Sequence, residues 1–232
     1  MKILALETSA KSASCAVVEN GTPLASSFQC TGLTHSRTLM PMVEDMLKNA
    51  ELTLEDIDLI AIANGPGSFT GLRIGIAAVK GLAWAADKPC CGVSTLHAMA
   101  QNVRRIDGLI IGAMDARRNQ IYNALFEANG GTLTRLCEDR AIGLCELCEQ
   151  LQEDPRRKIV LGDGGKLCYD YLTQHGIACE LADAPLLYQN AVGVGLAAEY
   201  GEIVSAQELS PVYLRPAQAE RLRNERLHPE NK

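Results

Sequence analysis

The order of predicted elements repeats between the two halves of the chain, and this repeat limits the possible folds more than any single motif. In each half, three short apolar runs, the last two joined by an Asn-Gly or Asn-Gly-Gly turn, predict an antiparallel meander. The predicted meander strands are 2–7, 14–19 and 22–29 in the first half, and 109–115, 120–127 and 133–138 in the second. Each meander is followed by a helix, a strand and a further helix, so the sequence predicts a duplicated α/β unit.

The elements that follow the meanders indicate the fold class. Predicted helices cover 35–49, 72–86, 95–103, 143–152, 166–174 and 190–200, and predicted strands cover 59–63, 89–93, 158–162 and 179–181. A doubly wound nucleotide-binding fold would alternate strand and helix from its first element. A duplicated meander, with mixed sheets and flanking helices, is instead typical of the actin, Hsp70 and hexokinase superfamily. We therefore predict actin-like subdomains at 1–105 and 106–215, followed by a polar, mobile tail at 216–232.

The composition favours a globular, cytoplasmic protein. Hydrophobic residues make up 47% of the 232 residues, which is enough for a sizeable core. The formal net charge is −6 and only 4% of the residues are aromatic, so the chain could hold a nucleic-acid backbone only through a local basic patch. No apolar run is long enough to span a membrane, and the N-terminus is typical of a strand rather than a signal peptide.

The residues that could bind metal are isolated from one another. The nine cysteines show no disulfide framework, which fits a reducing cytoplasm. Cys145 and Cys148 form a CxxC pair on a predicted helix, but no second pair accompanies them, so we predict structural cysteines. His35 and His97 belong to no HxxxH or HExxH pair, and no GxSxG or kinase motif is present.

The most informative segment is 64–75 (NGPGSFTGLRIG), which follows a strand and opens a helix. Its backbone amides could hold an anion, but its glycine spacing matches neither a P-loop nor a Rossmann motif. The helix after it has two faces. By the helical period, one is a core face, formed by Leu72, Ile76, Val79 and Ala83. The other is a small-residue strip at Gly71, Gly75, Ala78 and Ala85, which indicates either internal packing or a partner interface.

Two further segments leave their role open. The first meander loop carries Thr8, Ser9, Lys11 and Ser12, at the position where sugar kinases and chaperones of this superfamily contact phosphate. Only Glu7 stands at its start and the loop itself has no carboxylate, so we expect ATP hydrolysis to be compromised. The segment 115–118 (DARR) is either a hairpin loop with a functional carboxylate or a solvated turn.

Taken in order, these segments resemble the TsaB (YeaZ) family. The matching segments are 3–9 (ILALETS), 34–41 (THSRTLMP), 65–75 (GPGSFTGLRIG), 114–118 (MDARR) with Ile121 and Tyr122, and 211–215 (PVYLR). The resemblance implies an inactive paralogue of the tRNA-modifying ATPase TsaD. TsaD carries an HxxxH metal site in the region where this chain has His35 and Leu39, so one histidine of the pair is replaced.

The resemblance also implies a noncatalytic subunit that supports tRNA threonylcarbamoyladenosine synthesis, the modification of the adenosine beside the anticodon. It would pair with a TsaD-like paralogue through the helices at 35–49 and 72–86, join a TsaE-like ATPase, and contact tRNA only within the complex. ATP or ADP and metal are expected on the partner subunits and none tightly on this chain.

The helix at 35–49 has an apolar arc wider than its own core needs, so we expect a homodimer through the same helices when the chain is alone. The predicted interface residues are Leu39, Met42, Val43, Met46, Gly71, Gly75, Ala78, Val79 and Leu82. The alternatives are a small-molecule kinase or ATPase of the same fold, and a metallopeptidase.

Overall fold

The computed structural model describes residues 1–117 and 119–215. The strands of the first sheet are β1 (Lys2–Glu7), β2 (Ala13–Glu19), β3 (Thr22–Gln29), β4 (Leu59–Gly65) and β5 (Cys90–Ser94). Those of the second sheet are β6 (Gly108–Asp115), β7 (Gln120–Asn129), β8 (Thr132–Arg135), β9 (Arg140–Gly143), β10 (Lys158–Leu161) and β11 (Glu180–Leu181). The helices are α1 (His35–Asn49), α2 (Phe69–Ala86), α3 (Thr95–Asn102), α4 (Leu144–Leu151), α5 (Gly165–Gln174), α6 (Ala184–Leu187) and α7 (Ala191–Ala198), and a 3-10 turn covers Leu54–Asp56. The predicted tail at 216–232 lies outside the described residues.

The two sheets have the same topology. The first has the strand order β3-β2-β1-β4-β5, and the second has the order β8-β7-β6-β10-β11, with β9 pairing with β7 beside β8. In both, the meander strands are antiparallel and the last two strands run parallel to the first. The predicted duplication and the actin/Hsp70/hexokinase-like fold class are therefore confirmed. The predicted strand 133–138 is wrong in its extent, because the chain leaves β7 after Arg135 and returns to it as β9.

Each central strand of the first sheet is covered on both faces, which explains its continuous apolar sequence. Leu4 and Leu6 of β1 belong to one cluster with Val43 of α1 and Val79 of α2. Ile3 and Ala5, with the opposite orientation, pack with α7. Within the described residues, no helix is both long and apolar enough to cross a membrane.

One helix from each half packs on the sheet of the other half: α3 on the second sheet and α7 on the first. Leu96 and Met99 of α3 pack in a core with Ile110 and Phe126 of the second sheet. In return, Val194 and its neighbours on α7 complete the core of the first sheet. The predicted boundary at 105/106 lies between the two sheets. One helix of the predicted second subdomain, α7, packs on the first sheet.

The small-residue strip of α2 faces inward at its first two positions. A Cβ added at Gly71 would lie 2.1 Å from the carbonyl oxygen of Thr8, and one added at Gly75 would lie 2.3 Å from the Thr8 hydroxyl. The prediction that these two glycines face a partner is therefore wrong, since they let α2 approach its own sheet. The residues of α2 that are small and exposed are Ala77, Gly81 and Ala85.

These two environments predict opposite effects of adding one methyl group to α2. Gly71→Ala should lower the free energy of unfolding by about 1–3 kcal/mol, because the backbone of Thr8 must move. Gly81→Ala should raise it by roughly 0.8–1 kcal/mol, because open space surrounds Gly81 and alanine favours the helix. Urea unfolding at a common m-value measures both. Equal shifts in one direction would contradict the orientation of the helix.

Candidate functional site

A cleft of about 570 Å³ lies between the two halves. It is formed where β1, β4, β6 and β10 end, because the carboxyl ends of these strands meet at one edge of their sheets. Its lining residues are Ser9, Ala10, Lys11, Pro66, Gly67, Ser68, Phe69, Thr70, Met114, Asp115, Ala116, Arg117, Tyr122, Asp163, Val212, Tyr213, Leu214 and Arg215. Six separate stretches of the chain therefore contribute to one site.

The loop after β1 packs directly against the turn that opens α2. The amide of Ser68 donates a hydrogen bond to the carbonyl of Ser9 at 2.6 Å. The hydroxyl of Thr8 donates to the carbonyl of Gly71 at 2.9 Å, and a Cβ at Gly67 would lie 2.5 Å from the Ser9 carbonyl. The glycines of the 64–75 segment thus allow its backbone to contact Thr8 and Ser9. The amide of Ser68, one of the backbone amides that could have held an anion, is instead bonded to the Ser9 carbonyl.

Glu7 is a carboxyl group buried beneath this loop. Its Oε1 accepts a hydrogen bond from the amide of Ser9 at 2.5 Å. The Ser9 hydroxyl also interacts with this carboxyl and opposes the rise of its pKa. Burial, with a smaller contribution from the nearby Asp163, raises the pKa of Glu7 to about 7. Burial therefore favours the protonated form of this carboxyl.

Asp163 is a site residue that the sequence analysis missed. It follows β10 in the turn 162–165 (GDGG), where Gly162 has φ +111° and a Cβ would lie 2.1 Å from the carbonyl of Ala113. Gln189 donates to its Oδ1 at 2.9 Å, and burial raises the pKa of Asp163. The signal was a glycine-rich turn between a strand and a helix, at the place in the second half that corresponds to the turn after β4.

The other predicted loop residues separate into two groups. Ser12 is buried, and its hydroxyl donates to the carbonyl of Gln189 at 3.0 Å, so it joins the halves and does not face the cleft. Lys11 and Asp115 are exposed and line the cleft. The Asp115 carboxylate accepts the amide of Arg117 at 2.7 Å, which closes the hairpin turn. Arg118, the last residue of the 115–118 segment, is outside the described residues.

A C-terminal strap, residues 211–215, crosses the mouth of the cleft. The amide of Val212 donates to the carbonyl of Asn64 at 2.7 Å, and the ring of Tyr213 stacks on Phe69 with centroids 5.0 Å apart. At the other end, Arg215 donates to the carbonyl of Ala116 at 3.3 Å and to the side chain of Gln120. The strap therefore ties α2 of the first half to the β6–β7 hairpin of the second.

The two histidines considered as ligands are engaged in internal contacts. His35 Nε2 lies 2.7 Å from the carbonyl of Ala10, and His97 stacks on Phe126 with centroids 5.8 Å apart. Leu39, which occupies the second position of the degenerate HxxxH pattern, is buried in the core. Among the described residues, no group of three or more histidine, cysteine or acidic side chains is arranged to hold a metal ion.

The predicted interface residues of α1 and α2 differ in exposure. Leu39, Val43, Met46 and Val79 are buried in the first-half core, whereas Met42, Ala78 and Leu82 are partly exposed. Beside them an apolar groove of about 620 Å³ runs between α1, the 3-10 turn and α2. Its apolar lining residues are Met40, Val43, Leu47, Leu52, Leu54 and Leu82. Trp84, on the same helix as Leu82, is 63% exposed.

The raised pKa of Glu7 predicts a specific pH dependence of stability. Because the folded state holds the proton more tightly than the unfolded state, the contribution of Glu7 is present below about pH 4.5 and is lost as the pH rises toward about 7. The loss is on the order of 3 kcal/mol, since each pKa unit corresponds to about 1.4 kcal/mol. Glu7→Gln should remove it, because an uncharged amide can still accept the Ser9 amide.

The measurement is the free energy of unfolding of wild type and Glu7→Gln between pH 4.5 and 8. The variant should gain stability relative to wild type as the pH rises and then level off above pH 7. A difference between the two proteins that stays constant over this range would show that the Glu7 carboxyl is not perturbed. Glu19→Gln, at an end of β2, is the matched control.

The comparisons with known proteins agree with this geometry. A family model described as TsaD, tRNA N6-adenosine threonylcarbamoyltransferase, matches residues 29–197. The tRNA threonylcarbamoyladenosine biosynthesis protein TsaB of Bacillus subtilis is 37% identical over 70% of this chain and 71% of its own length. The TsaB protein of Escherichia coli is 34% identical over 93% of this chain and 95% of its own length.

Solved structures give the same result. A crystal structure of an uncharacterized Pseudomonas aeruginosa protein with similarity to peptidase YeaZ has a TM-score of 0.78 and 31% identity, over 92% of this chain and 99% of that one. The ethanolamine utilization protein EutJ of Carboxydothermus hydrogenoformans has a TM-score of 0.51 at 13% identity, over 85% of this chain and 90% of that one, and shares the fold alone. The chain therefore belongs to the TsaB family and carries a TsaD-like domain.

Proposed function

We propose that this chain is a noncatalytic subunit for tRNA threonylcarbamoyladenosine synthesis and that it pairs with a TsaD-like paralogue through α1 and α2. A TsaE-like ATPase completes the assembly, which works in the cytoplasm. The names of the homologues support the biosynthetic role. The proposed pairing rests on one observation: on the outer surface of α1 and α2, an apolar groove lies beside an exposed stripe of small residues.

The exposed stripe on α2 differs from the strip predicted from sequence but has the same physical use. Ala77, Gly81 and Ala85 follow one another at intervals of four residues, so they form one line along the helix. A line without bulky side chains lets a partner helix approach closely. Met40 and Met42 of α1 border the groove and the core beneath it, and their flexible side chains can adapt to a partner surface.

The absence of acidic residues from α2 adds to this proposal. Residues 59–86 contain no aspartate or glutamate, although the whole chain has 28 acidic residues. The exposed face of α2 can therefore be buried against a partner without desolvating carboxylates of its own, whereas the groove beside it is bordered by Glu44 and Glu51. When the partner is absent, the same surface is expected to pair with a second copy of the chain.

A noncatalytic role is supported by the residue that replaces a metal ligand of the catalytic relative TsaD. Leu39 replaces the second histidine of the metal pair, and it is buried in the core where it could not be exchanged for a ligand without loss. The first meander loop has no carboxylate, as the sequence analysis noted, but the cleft does contain Asp115 and Asp163 from other segments. The kinase or ATPase alternative therefore needs a direct test.

The isolated chain should retain no stoichiometric zinc or iron after dialysis and should turn over no ATP, because the metal pair is broken and Glu7 is engaged with Ser9. Metal content by mass spectrometry and phosphate release measure the two properties. Asp163→Asn provides the control for any trace activity. ATP turnover that disappears in this variant would show an active cleft and contradict the noncatalytic role.

The interface predicts the effect of Gly81→Arg. The arginine enters open space, so the folded monomer should be as stable as wild type or slightly more stable. It should block both self-association and capture of a TsaD-like partner, because the close approach of helices is lost and a charge would be buried unpaired. Sedimentation and pull-down with the purified partner measure these effects.

Gly143→Arg is the matched control for this experiment. It adds the same side chain at a second glycine that faces open space, on the second half and away from α1 and α2. Partner capture should survive this change. If Gly81→Arg captures the partner as strongly as Gly143→Arg does, the partner binds elsewhere.

A further inference from the structure

The mouth of the cleft carries a concentration of positive charge that the whole chain lacks. Lys11, Arg117 and Arg215 line it from three different segments, and Arg73 lies beside it on α2. None of the ion pairs between described residues involves Lys11, Arg73 or Arg215. A chain with a net charge of −6 therefore presents several cations at one opening.

The distribution of carboxylates reinforces this local charge. Residues 8–18, 59–86 and 210–215 supply the first-half side and the strap, and they contain no aspartate or glutamate. On the second-half side, Asp115 accepts the amide of Arg117, and Asp163 is held by Gln189 deeper in the cleft. The outer rim is thus cationic on balance, which is the arrangement that holds phosphate groups.

Aromatic rings share the same opening. Phe69, Tyr122 and Tyr213 line the cleft, although only 4% of the chain is aromatic. Arg73 holds two of them in place, since its guanidinium lies 3.8 Å from the centroid of the Phe69 ring and its Nε donates to the Tyr213 hydroxyl at 3.1 Å. The Tyr213 residue remains 37% exposed. Rings held at a cationic rim offer a stacking surface for a base.

Ser9 also lines the cleft, but its hydroxyl is buried beneath the loop and interacts with the Glu7 carboxyl, so it is not offered to a ligand. The case for a ligand therefore rests on the cations and the aromatic rings of the rim.

We propose that the cleft mouth binds an unpaired segment of RNA, with a base against Tyr213 and the backbone phosphates on Lys11 and Arg215. The choice of RNA as the ligand rests on the proposed role in tRNA modification, and direct binding by this chain goes beyond the expectation that it contacts tRNA only within the complex. The cationic and aromatic character of the site does not depend on that role. We expect a duplex to bind more weakly, because its bases are stacked on each other and not available to a ring.

The test uses the full chain and a short labelled single-stranded RNA, with binding followed by anisotropy across a range of salt concentrations. Wild type should bind with an affinity that falls as salt rises. Lys11→Ala should reduce the slope of log K against log salt by about 0.7, the value for one phosphate contact on a single strand. Tyr213→Leu should weaken binding about fivefold or more, which is the stacking contribution of one base.

Arg105→Ala is the matched control, because Arg105 is exposed and precedes β6 at the edge of the sheet opposite the cleft. It should leave both affinity and salt slope unchanged. No binding by wild type, or equal binding by wild type, Lys11→Ala and Tyr213→Leu, would overturn the proposal. Lys11→Ala changes an exposed loop residue, so the test does not depend on the folding of the strap variant.

Two further arms identify the ligand. Duplex RNA of the same length should bind more weakly, and free AMP or ATP at the same concentration should not displace the strand. Displacement by either nucleotide would assign the cleft to a free nucleotide and overturn the RNA assignment. Partner capture by Lys11→Ala should equal that of wild type. Loss of partner capture in Lys11→Ala would show that the cleft mouth is a protein interface and would overturn the RNA assignment. The proposed pairing through α1 and α2 is tested separately, by partner capture in Gly81→Arg.

Discussion

The contact between the first turns of α2 and the loop after β1 is the constraint on which the rest of the structure depends. Gly67, Gly71 and Gly75 bring helix backbone against Thr8 and Ser9 at distances that no side chain would permit. This contact fixes the height and rotation of α2 above the sheet. As a result, one edge of the helix supplies Phe69 to the cleft, and the opposite face presents Ala77, Gly81 and Ala85 to solvent.

The same contact uses polar groups on the inner surface of the cleft. In the described structure, donors of the α2 turn and the β1 loop are used on each other, and the Glu7 carboxyl is turned toward Ser9 under the loop. The cleft keeps its position between the halves, but its inner surface is committed to internal packing. The outer rim and the two surface helices remain available for recognition.

Local sequence signals were sufficient where the structure is local. The Asn20-Gly21 step has φ values of 47° and 75°, which are those of a tight hairpin turn, and the meander was predicted within about one residue. Repetition of the element order was enough to predict the duplicated sheets. The apolar face of α2 at Leu72, Ile76, Val79 and Ala83 was also predicted correctly, because a 3.6-residue period depends only on spacing.

Features that depend on distant segments were not predictable in this way. The sequence shows small residues on two sides of α2, and only the position of Thr8 decides which side faces inward. Asp163 lines the cleft because the two halves pack against each other. Residue spacing within one half cannot predict which residues of the other half will lie nearby. The reach of the strap across the mouth, through Tyr213 and Arg215, has the same origin.

The packing of α7 on the first sheet affects how the chain folds during its synthesis. The first sheet is complete once β5 has left the ribosome, but one of its faces stays bare until α7, about a hundred residues later, has been synthesised. During that interval Ile3, Ala5 and their neighbours form an apolar surface open to water. A nascent chain of this kind needs protection over the length of its whole second half, and a truncation anywhere before residue 191 leaves the first half without its cover.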